Sequence, residues 1–174
     1  MKKYLSLIAV SVLALGINNA NAAETSVNGT ATATILAASG ISETQKLDFG
    51  NVLKTAAHDV VMSTEGVRGG DTKYLVGGGT PRQGKFTITG QNAQDIEITV
   101  PNSITLTHKT NTSSKLTVSN VTMKVGDGAE QAAGTVDAVI SGTSLALAVG
   151  GTLKVTTSAV EGDYEGNYTV TISY

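Results

Sequence analysis

The sequence lacks cysteine and tryptophan altogether, and it holds only two prolines and two phenylalanines. Without cysteine no disulfide can form, so the stability of the fold must come from packing and strand pairing. Because aromatic residues make up only 4% of the chain, the core has to be built from Val, Ile, Leu and Ala. The absence of cysteine and the presence of only two histidines also argue against a zinc site.

The first 22 residues have the pattern of a signal peptide. Two lysines precede the apolar run Tyr4–Ile17, and a small-x-small cleavage signature, Ala-Asn-Ala, ends at Ala22. The run is shorter than the roughly 18 apolar residues of a transmembrane helix, although an uncleaved anchor is the alternative. We therefore expect export through the periplasm, then a place at the cell surface, in a fimbrium or in the medium.

Charge argues against a polyanionic partner. Once Lys2 and Lys3 leave with the signal peptide, the remaining 152 residues carry 10 basic and 14 acidic side chains, a net charge of −4. No basic run is present, which argues against nucleic-acid binding and against a polybasic membrane patch. We also predict no stable membrane insertion, since the apolar run is too short to span. A chain of this length fits a single domain. The predicted organisation is a signal peptide over 1–22, an N-terminal extension over 23–40 and a folded domain over 41–174.

Alternation of apolar and polar residues dominates the chain after the leader, and no helical period is sustained. Short runs bounded by Gly, Asn, Asp or Pro predict an all-β fold of ten or so strands, arranged as a β-sandwich. One helical turn is compatible with residues 130–134. The predicted strands are 30–36, 47–52, 58–63, 73–79, 85–90, 95–101, 103–108, 116–125, 134–142, 144–157 and 166–174.

No run of residues carries a catalytic or cofactor-binding pattern. Residues 79–86 match most of a phosphate loop, but Phe86 stands where Ser or Thr is required, and a strand follows instead of a helix. His58 and His108 lack ligands at metal-binding spacing, so each is predicted to be a solvated imidazole. The acidic clusters in 125–131 and 161–166 lack the spacing of a calcium loop and indicate turns. We therefore predict no enzyme activity, no catalytic residue, no cofactor and no metal.

The stretch from Thr25 to Ser39 is a long strand candidate close to a chain end. Every second residue from Val27 to Ile35 is small or apolar, and the residues between are mostly threonine. Edge strands normally carry Lys, Pro or a bulge as protection against pairing with other chains, and this stretch carries none. It suits strand addition, because main-chain bonds give affinity and alternate side chains set the register. Gly29 predicts a point where the backbone approaches its neighbour closely.

Two resemblances to known families rest on these residues. "TSVNGTATATILAAS" resembles the N-terminal extension of chaperone–usher pilins, although the chain lacks the cysteine pair of the better-known pilins. "LDFGNV", "FTITGQNAQDIEITVPNSITLT", "VGGTLKV" and "EGDYEGNYTVTISY" resemble, in order, motifs of the DUF4402 family of exported bacterial β-proteins. That second resemblance covers residues 47–174 and implies an exported all-β fold.

The pilin resemblance implies an immunoglobulin-like β-sandwich that is incomplete and is completed by donor-strand exchange. The donor residues would be Val27, Gly29, Ala31, Ala33 and Ile35. The final strand, which would border the acceptor groove or be held by a chaperone, would present Tyr168, Val170, Ile172 and Tyr174. The implied partners are identical or related subunits, a periplasmic chaperone and an usher. The implied function is that of a structural subunit of a fimbrium.

An alternative interpretation keeps the N-terminal extension within its own sheet. The protein would then be a monomeric exported β-sandwich at the cell surface, acting as an adhesin or a binding module. The sequence leaves open whether the extension pairs in cis or in trans, because both arrangements place the same alternating residues against an apolar face.

Overall fold

The computed structural model describes residues 29–33, 35 and 38–174. The chain divides into two compact units, Met1–Thr34 and Ile35–Tyr174. In the first unit, residues 29–33 are exposed and have no regular secondary structure, and the predicted signal peptide lies outside the described residues. Within the residues that are described, no helix is long and apolar enough to cross a membrane.

The second unit is all β apart from one 3₁₀ helix, Thr72–Tyr74, in the part of the chain that the structure describes. Alternating apolar residues account for most of its longer strands. The strands are β1 (Gly40–Gln45), β2 (His58–Met62), β3 (Arg68–Gly70), β4 (Gly84–Thr89), β5 (Asp95–Thr99), β6 (Ile104–His108), β7 (Lys115–Val125), β8 (Gln131–Ala132), β9 (Thr135–Val139), β10 (Ser144–Val155), β11 (Tyr164–Glu165) and β12 (Thr171–Ser173).

The larger of the two sheets is antiparallel and is organised around β10. Its main path is β1-β4-β10-β7-β6-β11, with β2 and β3 attached through β10 and β8 attached to β7. One edge of β10 pairs with β7 between Leu147 and Lys154. Its other edge pairs first with β4, over Ser144–Val149, and then with β2, over Gly151–Val155. One long strand therefore supports two shorter ones on the same edge.

The smaller sheet has the order β12-β5-β9 and is also antiparallel. In β5, Ile96 and Ile98 are buried while Asp95 and Glu97 are exposed, so one face of this sheet points to the core. The two sheets enclose a core made mainly of aliphatic side chains. Its largest fully buried members are Met62, Ile88, Ile98, Met123, Ile140, Leu147, Val60, Val100, Val118 and Val149. The predicted all-β, two-sheet architecture is confirmed.

Two predicted strands are wrong, because local turns replace them. In 47–52, Gly50 has a positive φ of 68° and its N–H donates to Asp48 Oδ1 at 2.7 Å, so only isolated bridges form at Asp48 and Val52. In 73–79, Asp71 caps the short 3₁₀ helix by accepting from the Lys73 N–H at 3.2 Å. Hydrogen bonds within each segment therefore take the place of a continuous ladder.

Three other predictions about elements need correction. Residues 30–33 and 35, predicted as part of a strand, are exposed and outside any strand. Residues 130–134 contain β8, paired with the end of β7, instead of a helical turn. The final strand, predicted over 166–174, is shorter in the structure, where β12 covers only Thr171–Ser173. Residues 164 and 165 pair with β6 in the larger sheet, so the chain must cross to the smaller sheet before it pairs with β5.

Candidate functional site

A groove of about 1320 Å³ runs over the inner face of the larger sheet. None of the described residues that line it belongs to β5, β9 or β12, so this part of the face is not covered by the smaller sheet. The floor consists of side chains that would otherwise form the middle of a sandwich core. They are Phe86, Ile104, Leu106, Leu116, Val118, Leu153 and Val155.

Two irregular segments form the sides of the groove, and we call them the first wall (residues 46–55) and the second wall (residues 159–170). The second wall leads directly into β12, which pairs only with β5 among the described strands. A sheet edge carries unpaired N–H and C=O groups, so the second edge of β12 is a place where a further strand could pair.

The first wall is fixed mainly by main-chain bridges and by one arginine. Asp48 and Arg82 exchange backbone hydrogen bonds at 2.9 and 2.8 Å, and the Leu53 N–H donates to the Tyr74 carbonyl at 3.0 Å. The Arg68 guanidinium donates to the carbonyls of Asn51 and Val76. Burial lowers the pKa of Arg68 and the nearby Asp48 carboxylate raises it, with a net lowering. These contacts tie the wall to β3 and to the chain that follows it.

The second wall is held to the larger sheet through Tyr164. Its hydroxyl donates to the Val160 carbonyl at 2.8 Å and accepts from the Val160 N–H at 2.9 Å, and it lies 2.7 Å from Ser114 Oγ. The Lys109 N–H donates to the Asp163 carbonyl at 2.9 Å. The wall is therefore attached at the end of β6 and at the turn that precedes β7.

His108 provides a further attachment for the second wall. Its Nδ1 accepts from the N–H groups of Thr110 at 3.1 Å and Asn111 at 2.9 Å, so the proton of the neutral ring lies on Nε2, which donates to the Glu161 carbonyl at 2.9 Å. Gly162 has a φ of 136°, and a Cβ there would collide with the imidazole. The prediction that His108 is a solvated imidazole is wrong, because only 5% of the residue is exposed.

Charged residues lie along the rim of the groove, whereas its floor is apolar. Glu165, in the second wall, pairs with Lys109 at 3.3 Å and more loosely with Lys46, in the first wall, at 4.0 Å. Tyr168 packs edge-on against Phe86, with ring centroids 5.9 Å apart. Burial, together with the charge of Glu43, raises the pKa of the Tyr168 hydroxyl, which has no hydrogen-bond partner among the described residues.

The predicted C-terminal residues divide into two groups. Tyr168, Val170 and Ile172 are half-buried and pack against the core, whereas Tyr174 is 75% exposed. Only Ile172 lies within β12, and the first two belong to the second wall. The strand begins only at Thr171, later than predicted, and the role of the four residues beside an acceptor groove remains a prediction.

The predicted donor residues are only partly described. Val27 lies outside the described residues, and Gly29, Ala31 and Ala33 are exposed. No atom lies within 4 Å of the position that a Cβ on Gly29 would occupy, so the close approach predicted there remains a prediction. Ile35 is 92% exposed. The role of all five as donors also remains a prediction.

The outer face of the smaller sheet carries acidic side chains that the sequence analysis did not single out. Asp95, Glu97 and Asp137 line a shallow depression there, and Glu97 lies opposite Asp137 in the register of β5 and β9. In the described part of the chain, no group of three or more His, Cys, Asp or Glu residues is arranged to hold a metal ion. This depression, of about 620 Å³, is smaller than the groove.

The fold defines the class of the protein as a two-sheet β-sandwich, with a groove between two walls above one part of its larger sheet. The sequence matches the Domain of unknown function DUF4402 over residues 40–174, and the chain belongs to that family. A comparison with curated proteins finds no match. The family match starts at the first residue of β1 and includes both walls of the groove.

Proposed function

We propose that the protein is a structural, fimbria-like subunit that polymerises when the N-terminal extension of one copy enters the groove of the next. The observation that supports this most is the groove itself, which runs between the two walls above seven core side chains. Its volume of about 1320 Å³ exceeds the roughly 300–1,000 Å³ of most small-molecule sites. An extended peptide segment matches such a channel better than a compact ligand does.

The occupant we favour is a second copy of this chain. Ile35 stands at the beginning of the folded unit with 92% of its surface exposed, so its burial against another copy would remove apolar surface from water. It ends the alternating series that starts at Val27. A strand added beside β12 would gain main-chain hydrogen bonds and place alternate side chains on the groove floor.

On this proposal the domain is an incomplete immunoglobulin-like sandwich, and no bond chemistry takes place. The protein would be exported, and a periplasmic chaperone would occupy the groove before an usher directs exchange between subunits. Stability of the fibre would follow from main-chain pairing and from burial of the apolar residues of the extension, at about 25 cal/mol per Å² of apolar surface removed from water.

The proposal is tested by changing one face of the extension at a time. On this proposal the wild-type chain should form SDS-resistant multimers. Ile35→Asp places a charge on the face predicted to enter the groove, and we expect it to abolish them. Thr32→Asp is the matched control, since it adds the same charge to the opposite face of the same strand. Multimers should persist in the control.

Deletion of residues 23–37 gives an independent result. Heat-resistant multimers that survive this deletion would contradict strand exchange. A wild-type chain that stays monomeric under all conditions, and whose groove binds a ligand from the host surface, would favour instead the monomeric adhesin or binding module. The mixed charges on the rim of the groove are the feature that would serve such a ligand.

A further inference from the structure

Basic residues are missing from one side of the sandwich. Residues 86–107, 125–153 and 155–174 contain no lysine or arginine, and together these ranges include all three strands of the smaller sheet. Every lysine and arginine after the predicted signal peptide therefore lies in the larger sheet or in the loops between its strands. As a consequence, the outer faces of the two sheets differ in charge.

The outer surface of the smaller sheet carries three carboxylates, and we call it the acidic face (Asp95, Glu97 and Asp137). All three side chains are exposed and alternate along their strands with residues that face the core. Glu97 lies directly opposite Asp137 in the ladder, and like charges in that arrangement destabilise a sheet. Ser173 Oγ donates to Glu97 Oε1 at 3.4 Å. Within the described residues, no lysine or arginine pairs with these carboxylates to offset the repulsion.

The outer surface of the larger sheet carries a row of opposite charge, which we call the lysine row (Lys85, Ala148 and Lys124). Lys85 of β4 and Lys124 of β7 both lie opposite Ala148 of β10, the strand between them. Both lysines alternate with core residues, so they point outward. Since neighbouring strands lie about 4.8 Å apart, the two lysine Cα atoms are roughly 10 Å apart, and the small alanine leaves room between them for an acidic side chain.

The lysine row has charge to offer a partner. Among the described residues Lys85 makes no ion pair. Lys124 pairs with Glu65, whose side chain is 66% exposed, and an ion pair with so exposed a carboxylate contributes little in water. A carboxylate from another molecule can therefore replace or join Glu65 at little cost.

We infer that copies of this chain associate side by side, with the acidic face of one copy against the lysine row of the next. A second copy is the occupant that fits, because each molecule carries both members of the complementary pair. Opposite potentials on two surfaces steer their encounter and fix its register. Val139, 53% exposed beside the carboxylates, adds apolar surface to the contact.

The contact is heterologous, because the two faces lie on opposite outer surfaces of the sandwich. A pair of copies leaves one acidic face and one lysine row free, so the contact can repeat without closing. Each contact is weak, since exposed ion pairs contribute little, but a row of linked subunits would repeat it many times. The association uses neither the groove nor the N-terminal extension, and only its role in bundling fibres rests on the proposed function.

Sedimentation velocity of the full chain, purified after export, measures the association. EDTA is present so that no divalent cation bridges the carboxylates. In about 20 mM salt we expect a weight-average mass that rises with protein concentration. In about 300 mM salt the association constant should fall about fivefold or more, because the screening length shortens from roughly 20 Å to roughly 6 Å. Association that is equally strong at both salt concentrations would overturn the inference.

Reversing one charge on each face provides the specific test. Glu97→Lys and Lys85→Glu should each weaken self-association about tenfold or more, because an attraction becomes a repulsion. A one-to-one mixture of the two variants should regain association, because the reversed face of each then meets the reversed face of the other. Glu161→Lys and Lys54→Glu are the matched controls, since they make the same changes at exposed positions outside both faces.

The outcomes separate this inference from the proposed function. A mixture that does not regain association, or controls that lose as much as the test variants, would overturn the side-by-side contact. Strand exchange is followed separately as SDS-resistant multimers. Salt-sensitive association without such multimers would contradict the proposed function and support the contact between faces. Multimers without any salt-sensitive association would support the proposed function and overturn this inference.

Discussion

At the scale of single residues, Thr64 and Glu130 form the polar contact that joins the β2–β3 turn to the segment before β8. Thr64 is 2% exposed, and both its N–H, at 2.8 Å, and its hydroxyl donate to Glu130 Oε2. We expect Glu130→Gln to lower the free energy of unfolding by about 1 kcal/mol at neutral pH, the low end for bonds to a charged acceptor because solvent screens this carboxylate. Chemical denaturation measures the difference.

The difference in unfolding free energy between wild type and Glu130→Gln should also depend on pH. Burial raises the pKa of Glu130, but the hydrogen bonds from Thr64 and smaller contributions from Thr122 and Lys124 together outweigh this effect, so the pKa lies below its ordinary value of 4.5. A carboxyl whose pKa is lowered on folding stabilises the fold above its unfolded pKa and loses this contribution as the pH falls through the folded pKa. The gap between wild type and Glu130→Gln should therefore close in acid. A gap that widened in acid would contradict it.

At the scale of elements, the sequence predicted those strands whose buried face is apolar along its whole length. Strands β4, β5 and β10 lie within one or two residues of their predicted starts, because a sheet with one buried face requires strict alternation. β1 was missed because it is an edge strand whose middle residues, Ser42, Glu43 and Thr44, are exposed. The two-residue strands β8 and β11 are too short to show a period at all.

One glycine, Gly150, lies where the edge of β10 changes its pairing partner from β4 to β2. A Cβ on Gly150 would collide with the Met62 carbonyl oxygen and would lie 3.0 Å from the Ser63 carbonyl carbon, at the point where the edge of β10 passes from β4 to β2. We expect Gly150→Ala to lower the unfolding free energy by about 2 kcal/mol or more, since β2 must move away. Gly77→Ala is the control, because nothing lies within 4 Å of its Cβ position; its effect should stay within about 0.5 kcal/mol. Thermal and denaturant unfolding of both variants provide the measurement.

At the scale of the whole molecule, the groove could not be predicted from the sequence. Its floor draws side chains from β4, β6, β7 and β10, and nothing local distinguishes Leu116 or Leu153 from residues under the smaller sheet. The walls are irregular segments fixed by long-range contacts such as Arg68 to Asn51 and His108 to Glu161. The N-terminal extension, by contrast, could be identified from the sequence alone, because its alternating run lacks the charges that normally protect an edge strand from pairing.

The absence of cysteine makes the contact between copies directly measurable. In a mixture of two tagged chains, one carrying Ile35→Cys and the other Leu47→Cys in the first wall or Leu106→Cys on the floor, oxidation should give mixed disulfide dimers. Bridging requires Cβ atoms within about 4.5 Å, so a dimer reports insertion and its register. Val67→Cys, 65% exposed and outside the groove, is the matched control and should give little. Equal yields for the groove and control positions, measured on non-reducing gels, would mean random collision and would contradict strand exchange between subunits.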